Sequence, residues 1–424
     1  AQVIGTAGLV LILFEGGLST SWRRLREVAL PAVALSTVGV LITATLVGVA
    51  SYFLFDLPFL YALLVGAVVS STDAAAVFAS LRSSKIKRKL ARTLEAESGI
   101  NDPMAIALTI GLISWLTLPN YSYNNMLELL VMQLGIGLAA GLILGFLAVR
   151  LLAKLPKAIG SFAPVVSLGI CAITFGLTQL IDGSGFLAVY LVGLFIGSTP
   201  SRYRSHLTQF HEGVAFLAQV VMFVALGLFV NPMQLPEIAI GGVMLAILLA
   251  LAVRPVAVYV SLLFSKYARR EQLFIGLAGL RGAVPIVLGT FVLSSGVDDA
   301  GKIFNIVFFV VLISALFQGA VLEKIATRLG LLDHIAIAAA RPVDPRKRAN
   351  IQFTVQDGHA VVGSRIKELG LPKGARLLSV HQDGVNAELN DDFHLHVGDV
   401  VRVGFVESIR PEVEDVIIRW HRRI

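Results

Sequence analysis

Four polar side chains, Glu97, Ser98, Asn101 and Asp102, stand inside an apolar stretch that runs from residue 93 to 117. In a helix Ser98 lies over Asp102 on one line and Glu97 over Asn101 on the next, about 100° around the axis. A carboxylate at bilayer depth is costly and by default marks an ion pathway. The carboxylate of Asp102, the hydroxyl of Ser98 and a carbonyl freed at Thr72 are hard oxygen donors of the kind an alkali cation takes. One carboxylate shared between a proton and a cation, with access alternating from side to side, would couple their opposite fluxes. Asn101, counted with the cation- and proton-binding residues, brings an amide and no charge to the adjacent line, which favours one proton exchanged per cation and little net current.

Those donors need elements that hold them at mid-membrane. Hydrophobic residues make up 56% of the chain and charged ones 15%, with a mean hydropathy of +0.80, outside the range of a soluble domain. Eleven apolar runs approach the roughly 20 residues that span hydrocarbon, at about residues 2–20, 28–55, 59–80, 93–117, 127–149, 159–181, 185–199, 211–230, 238–264, 271–296 and 302–329. The third contains Ser70-Ser71-Thr72-Asp73 and the tenth Gly279-Leu280-Arg281-Gly282-Ala283-Val284-Pro285, and both are expected to unwind near the midplane. Interrupted segments at matching positions point to an inverted-repeat transporter. An offset of seven spans is odd, so the two copies run antiparallel. It also leaves the sixth and seventh spans without partners, so two further helices are expected ahead of Ala1 in a thirteen-span parent.

Opposed half-helix ends carry uncompensated N–H groups on one side and carbonyls on the other. Asp73 is expected to neutralise the positive end, and Arg281 the negative end of the other break. A guanidinium at this depth needs a counterion, and Glu97 is assigned to Arg281 as a structural pair. Arg254, just before Pro255 in the ninth span, is read as structural, capping carbonyls or pairing a core carboxylate.

Lys and Arg in successive loops alternate seventeen against one, which by the positive-inside rule places everything after residue 330 in the cytoplasm. The net charge of +7 then reflects topology and anionic membrane lipid, with no nucleic-acid partner. Three other classes of function compete. A channel would not trap one carboxylate between broken helices. An intramembrane enzyme needs a nucleophile beside a base, and no histidine is placed inside a span, so no catalytic residue, cofactor or resident metal is expected. The alternative reading is a sodium-coupled symporter of an organic solute on a related inverted-repeat fold, which requires a larger cavity than one ion needs.

The runs Leu13-Phe14-Glu15-Gly16-Gly17-Leu18, Ser71-Thr72-Asp73-Ala74, Glu97 to Pro103, Arg254-Pro255 and Gly279 to Val284 follow one another in order across residues 1–330. Together they resemble the NhaP-like, electroneutral branch of the cation:proton antiporters. The resemblance implies an all-α multi-pass membrane protein of the inverted-repeat antiporter fold, with two broken crossing helices. It also implies a homodimer in the cell (inner) membrane whose thirteen-helix protomers have a dimerisation part and a moving core. Asp102 would be the ion-binding carboxylate, helped by Asp73, Thr72, Ser98 and Glu15, while Glu97 pairs with Arg281. From the residues alone Glu15 is a polar group near a helix end, able to balance Arg23 or Arg24.

After residue 330 the texture changes. A basic linker, residues 331–349 with the hinge Arg341 to Arg348, leads to a small α+β cytoplasmic domain over residues 350–424. Ile351 to Gln356, Ala375 to His381 and Val397 to Val406 read as strands, Asp383-Gly384 as a turn and Arg410 to His421 as a helix. The segments Ala360 to Gly374 and His396 to Val401 resemble the C-terminal subdomain of regulators of potassium conductance. That resemblance implies gating by a small-molecule regulator and favours K+ over Na+ as the cation exchanged for H+. A metal site at His381, His394 and His396 is conceivable but lacks completing ligands.

Overall fold

The computed structural model describes residues 2–81, 86–155, 162–201, 203–230, 232–233, 235–332, 348–372, 374–382, 385–387, 393–406 and 409–421. Parts of the basic loop that begins at Arg82, residues 341–347 of the hinge and the Asp383-Gly384 turn lie outside them. Two compact units emerge, residues Ala1–Asp333 and His334–Ile424.

In the first unit every apolar run is helical. The helices are α1 Gln2–Ser19, α2 Ala29–Phe55, α3 Phe59–Val68, α4 Ala74–Ser80, α5 Arg88–Thr117, α6 Tyr123–Ala153, α7 Ala163–Leu180, α8 Gly185–Ser198, α9 Arg204–Phe229, α10 Leu235–Ser261, α11 Arg269–Leu277, α12 Ala283–Ser294 and α13 Ala300–Arg328. Eight of these are long and apolar enough to cross a membrane. The third and tenth runs are the broken ones, each split into two half-helices, α3/α4 and α11/α12. Three helices carry a π-helical turn, Leu35–Gly39 in α2, Leu249–Val253 in α10 and Ser314–Gln318 in α13. The turn in α10 has a plain cause: Pro255 has no N–H and its ring would strike the carbonyl of residue 251, so the helix widens just before it. The second and ninth runs are seven apart, so these two widened turns fall on spans matched by the inverted repeat.

Short loops carry an acidic or amide residue in the left-handed region where two helices must reverse tightly. Asp56, Asn120, Asp182 and Asp299 have φ of 52°, 60°, 56° and 55°, a conformation Asn and Asp tolerate better than other side chains. All four lie in the loops that hold almost no Lys or Arg.

Glycine sets how closely the helices approach. A Cβ on Gly193 would lie 3.0 Å from the Leu18 nitrogen, one on Gly17 2.9 Å from the Leu194 nitrogen, and one on Gly197 2.7 Å from the Leu18 carbonyl carbon. The backbones of α1 and α8 are therefore in direct contact, as small residues permit between membrane helices. Gly137, Gly141 and Gly145 of α6 likewise face Ser184, Leu191 and Phe195, the last two on α8, so this four-residue stripe packs within the chain.

In the second unit four antiparallel strands, β1 Arg348–Thr354, β2 Arg376–Gln382, β3 Val385–Asn386 and β4 Val400–Val406, form a sheet in the order β1-β4-β2-β3. Alternate residues Val401, Val403 and Phe405 point to one face, where Val413, Val416, Ile417 and Trp420 of helix α14, Arg410–Trp420, cover them. The Trp420 indole N–H donates to the Leu369 carbonyl (3.0 Å), which ties the helix to the loop before β2. His394 accepts from Arg365 and His396 approaches Gln382, and among the described residues no group of three potential metal ligands forms.

Candidate functional site

The two breaks meet. The Asp73 N–H donates to the Leu280 carbonyl (2.9 Å), linking the turn after α3 to the turn before α12. A Cβ on Gly282 would come within 2.6 Å of Asp73 Cβ and Cγ, so only glycine fits at the crossing. Gly282→Ala is expected to destabilise the protein by about 1–3 kcal/mol through overpacking and to lower exchange by displacing Asp73. Detergent melting curves and proteoliposome assays check both, and a silent variant would mean that the crossing has slack.

Electrostatics explain why the crossing is tolerated. Asp73 caps α4, its Oδ1 accepting from the Ala76 N–H (3.1 Å), so an anion stands at a positive helix end. Arg281 donates to the carbonyls of Ser71 (2.6 Å) and Ser70 (3.2 Å) at the carbonyl end of α3. Its own backbone N–H donates to Ser314 Oγ (3.1 Å) in the π turn of α13.

The expected pair of Glu97 with Arg281 is not what forms. Glu97 is paired with Arg254 of α10, and both are buried. The reason is geometric: Arg281 is drawn to the half-helix carbonyls, while the Glu97 carboxylate is met by Arg254 from α10. On that side of α5 Ser36 of the α2 π turn donates to the Glu97 carbonyl (3.0 Å). Arg254 passes between Gly39, whose added Cβ would be 3.9 Å from a terminal nitrogen, and Gly279, whose Cβ would be 2.9 Å from Nε. Glu97 acts on Arg281 only through space.

The other line of α5 faces a cavity of about 380 Å³. Asp102 lines it and is 6% exposed, and its Oδ1 makes no hydrogen bond within the protein. Ser71 lies beside this carboxylate, and Asp73 repels it through space. Thr72, Asp73 and Ser98 line the same cavity; Ser98 Oγ also accepts from the Ala74 N–H (3.3 Å), steadying the start of α4. Asn101, placed among the ion ligands by sequence, does not line it. Its amide donates instead to the Thr72 hydroxyl (2.7 Å), holding from behind a residue that does. Glu15 reaches the cavity from α1, accepting from Ser19 (2.5 Å), and the Arg24 side chain lies outside the described residues.

Among the lining residues that sequence reasoning missed are Glu95 of α5, Tyr190 of α8 and Glu212 of α9. Glu95 is one turn before Gly99 and was legible by the same four-residue spacing. Glu212 and Tyr190 carried no such signal, since they arrive from other helices. With Glu15, Asp73 and Asp102 they make the wall strongly acidic, which suits a cation and opposes an anionic solute. The volume exceeds what one dehydrated ion fills and alone would also suit a small organic solute.

One histidine does lie inside a span, contrary to the sequence expectation. His211 in α9 is buried, with Nε2 2.7 Å from Ser167 Oγ and its ring 4.7 Å from that of Phe14. The pair does not make a nucleophile. The Pro164 carbonyl, 2.7 Å from Ser167 Oγ, competes for its hydrogen, and His211 Nδ1 has no hydrogen-bond partner to orient the ring as a base. Neither residue lines the cavity.

Similarity to known proteins agrees with this geometry. Residues 1–328 match the family described as sodium/hydrogen exchanger, transmembrane, and residues 350–404 match the TrkA-C domain. A K(+)/H(+) antiporter NhaP2 of Shewanella baltica is 36% identical over 95% of this chain and 71% of its own length. A K(+)/H(+) antiporter NhaP of Alkalimonas amylolytica is 38% identical over 91% of this chain and 68% of its own. The solved sodium proton antiporter MjNhaP1 of Methanocaldococcus jannaschii superposes with a TM-score of 0.70 at 26% identity, covering 77% of this chain and 85% of that one. With the broken crossing helices and the acidic cavity in hand, the conclusion is that this chain belongs to the sodium/hydrogen exchanger family and is a multi-pass membrane cation/proton antiporter.

Proposed function

We propose that the protein exchanges one monovalent alkali cation, K+ in preference to Na+, for one H+ by alternating access, without net current. The observation that carries the reading is Asp102: a buried carboxylate with an unpartnered oxygen, facing an acidic cavity beside Thr72, Asp73 and Ser98. A proton or a dehydrated cation satisfies that oxygen, and either one displaces the other. Asn101 supports the 1:1 ratio, because its amide is occupied with Thr72 and adds no second charge beside the site. Glu97 supports it too, being neutralised by Arg254 outside the cavity.

The K+ preference draws on the Shewanella and Alkalimonas relatives, both K(+)/H(+) antiporters by name, and on the TrkA-C match. The Aphanothece halophytica relative, 30% identical over 76% of this chain and 63% of its own length, is named a Na(+)/H(+) antiporter, so the preference needs its own measurement. The second unit is assigned to regulation by a small molecule on the cytoplasmic side, in a homodimer of the cell membrane. Proteoliposomes with an internal pH dye, given K+, Na+, Rb+ or Li+ at several pH values, test the exchange. K+ is expected to give the lowest half-saturating concentration, and clamping the membrane potential with an ionophore is expected to leave the rate unchanged. A rate that follows the potential would overturn the 1:1 ratio, and saturation at lower Na+ than K+ would overturn the preference.

A further inference from the structure

Gly99 stands between Ser98 and Asp102 on the cavity side of α5, and its lack of a side chain has a specific occupant. A Cβ there would overlap the ring of Tyr190 and lie 2.5 Å from its hydroxyl oxygen. Tyr190 comes from α8, which supplies none of the site residues considered above. Its side chain is fully buried yet lines the cavity, and its hydroxyl makes no hydrogen bond of normal geometry within the protein. The adjacent hydroxyl, Thr20, donates its own hydrogen to the Gly16 carbonyl (2.7 Å). The charges of Asp102 and Glu95 both act on the phenol. The phenol can therefore give its hydrogen only toward Thr20 Oγ, and no protein donor meets its lone pairs, an acceptor gap that calls for a partner. Asp102 Oδ1, within a helical turn and on the same cavity, is another such gap, and Pro103 has no N–H to offer the Gly99 carbonyl.

We propose that Tyr190 is a cation-positioning residue: its phenolic oxygen faces Asp102 across the cavity and holds the transported cation, or the last water it keeps, against that carboxylate. The proposal deepens the antiport reading and rests on it. A phenol oxygen is a hard, neutral donor, so it adds a ligand without adding charge and leaves the exchange ratio untouched. Its position on a different helix from every other ligand means that the complete ligand shell exists only when α8 and α5 face each other as they do here.

Tyr190→Phe tests this, because it keeps the ring over Gly99 and removes only the oxygen. In proteoliposomes the half-saturating cation concentration is expected to rise about threefold to tenfold, the worth of one lost hydrogen bond or weak ligand, with the maximal rate within about twofold. A cation that binds less well yields to protons sooner, so the acid limb of the activity profile is expected to move to higher pH. Yield and melting temperature are expected to stay at the parent values. An unchanged half-saturating concentration and pH profile in a folded Tyr190→Phe protein would overturn the proposal, and Asp102→Asn run in parallel separates the two readings. Loss of exchange in Asp102→Asn with a silent Tyr190→Phe removes only Tyr190, whereas exchange retained in Asp102→Asn removes the antiport site itself.

Discussion

Asp102→Asn is expected to reduce cation-driven proton movement to the protein-free baseline while leaving the protein at least as stable as its parent. The two halves of that expectation have one cause. Asp102 is buried, has no counterion among the described residues and leaves one oxygen without a hydrogen bond. A group in that position is held at a cost, because desolvation of a carboxylate is unfavourable unless a proton or a cation compensates it. The amide has the same shape and no charge, so it relieves the cost and at the same time can neither release a proton nor bind a cation tightly. Loss of activity with a raised or unchanged melting temperature is the signature of a residue kept for function. Calorimetry adds the pH test: cation binding to the parent is expected to weaken as pH falls and to be absent in the variant. Binding of equal strength at every pH in the parent would break the competition on which exchange depends.

The reverse signature is expected one residue line away. Glu97 and Arg254 are buried and paired, so removing either partner strands a charge in the protein core, an effect of about 3–5 kcal/mol. Glu97→Gln and Arg254→Met should each lower yield and melting temperature sharply, and any protein recovered should keep a near-parent half-saturating cation concentration. The double variant is the discriminating one. With both charges gone the stranded ion disappears, so it is expected to be more stable than either single variant, a coupling that a double-mutant cycle reads directly. Arg281 bears on Arg254→Met, since that variant leaves Glu97 with only a through-space cation, one whose Nη1 is held by the Ser70 and Ser71 carbonyls. A double variant no better than the singles would show that the side chains matter for packing alone, and a large change in cation affinity would move Glu97 into the ion site.

How far these roles were legible in the sequence depended on whether they needed the order of helices in space. Helical spacing alone separated Ser98 and Asp102 from Glu97 and Asn101, and the structure puts only the first line on the cavity. Gly and polar clusters gave both breaks, because lipid forbids free backbone groups unless something covers them. The partner of Glu97 was not legible, since two buried arginines competed and nothing in a linear chain says which helix lies behind α5. The same limit hid Glu212 and Tyr190: nothing in the spacing of their own helices says that either side chain faces the polar line of α5. Asn101 failed differently. Its type and place suited the ion, but an amide can donate as well as accept, and the donor side won the Thr72 hydroxyl. His211 was overlooked because the apolar run was taken to start there, whereas the helix begins at Arg204 and carries the ring a full two turns inside.

The backbone contact of α1 with α8 through Gly17, Gly193 and Gly197 has a mechanical meaning. No side chain lies between the two helices at those points to act as a lubricant, so neither can slip past the other without a steric collision. Glu15 and Tyr190 are thereby bolted to one rigid plate. Asp73, Thr72, Ser98 and Asp102 belong to the opposing piece, riveted by the Asp73 to Leu280 hydrogen bond and by Arg281. The cavity opens along the seam between these two pieces, and in the exchange proposed above that seam is where the cation is held.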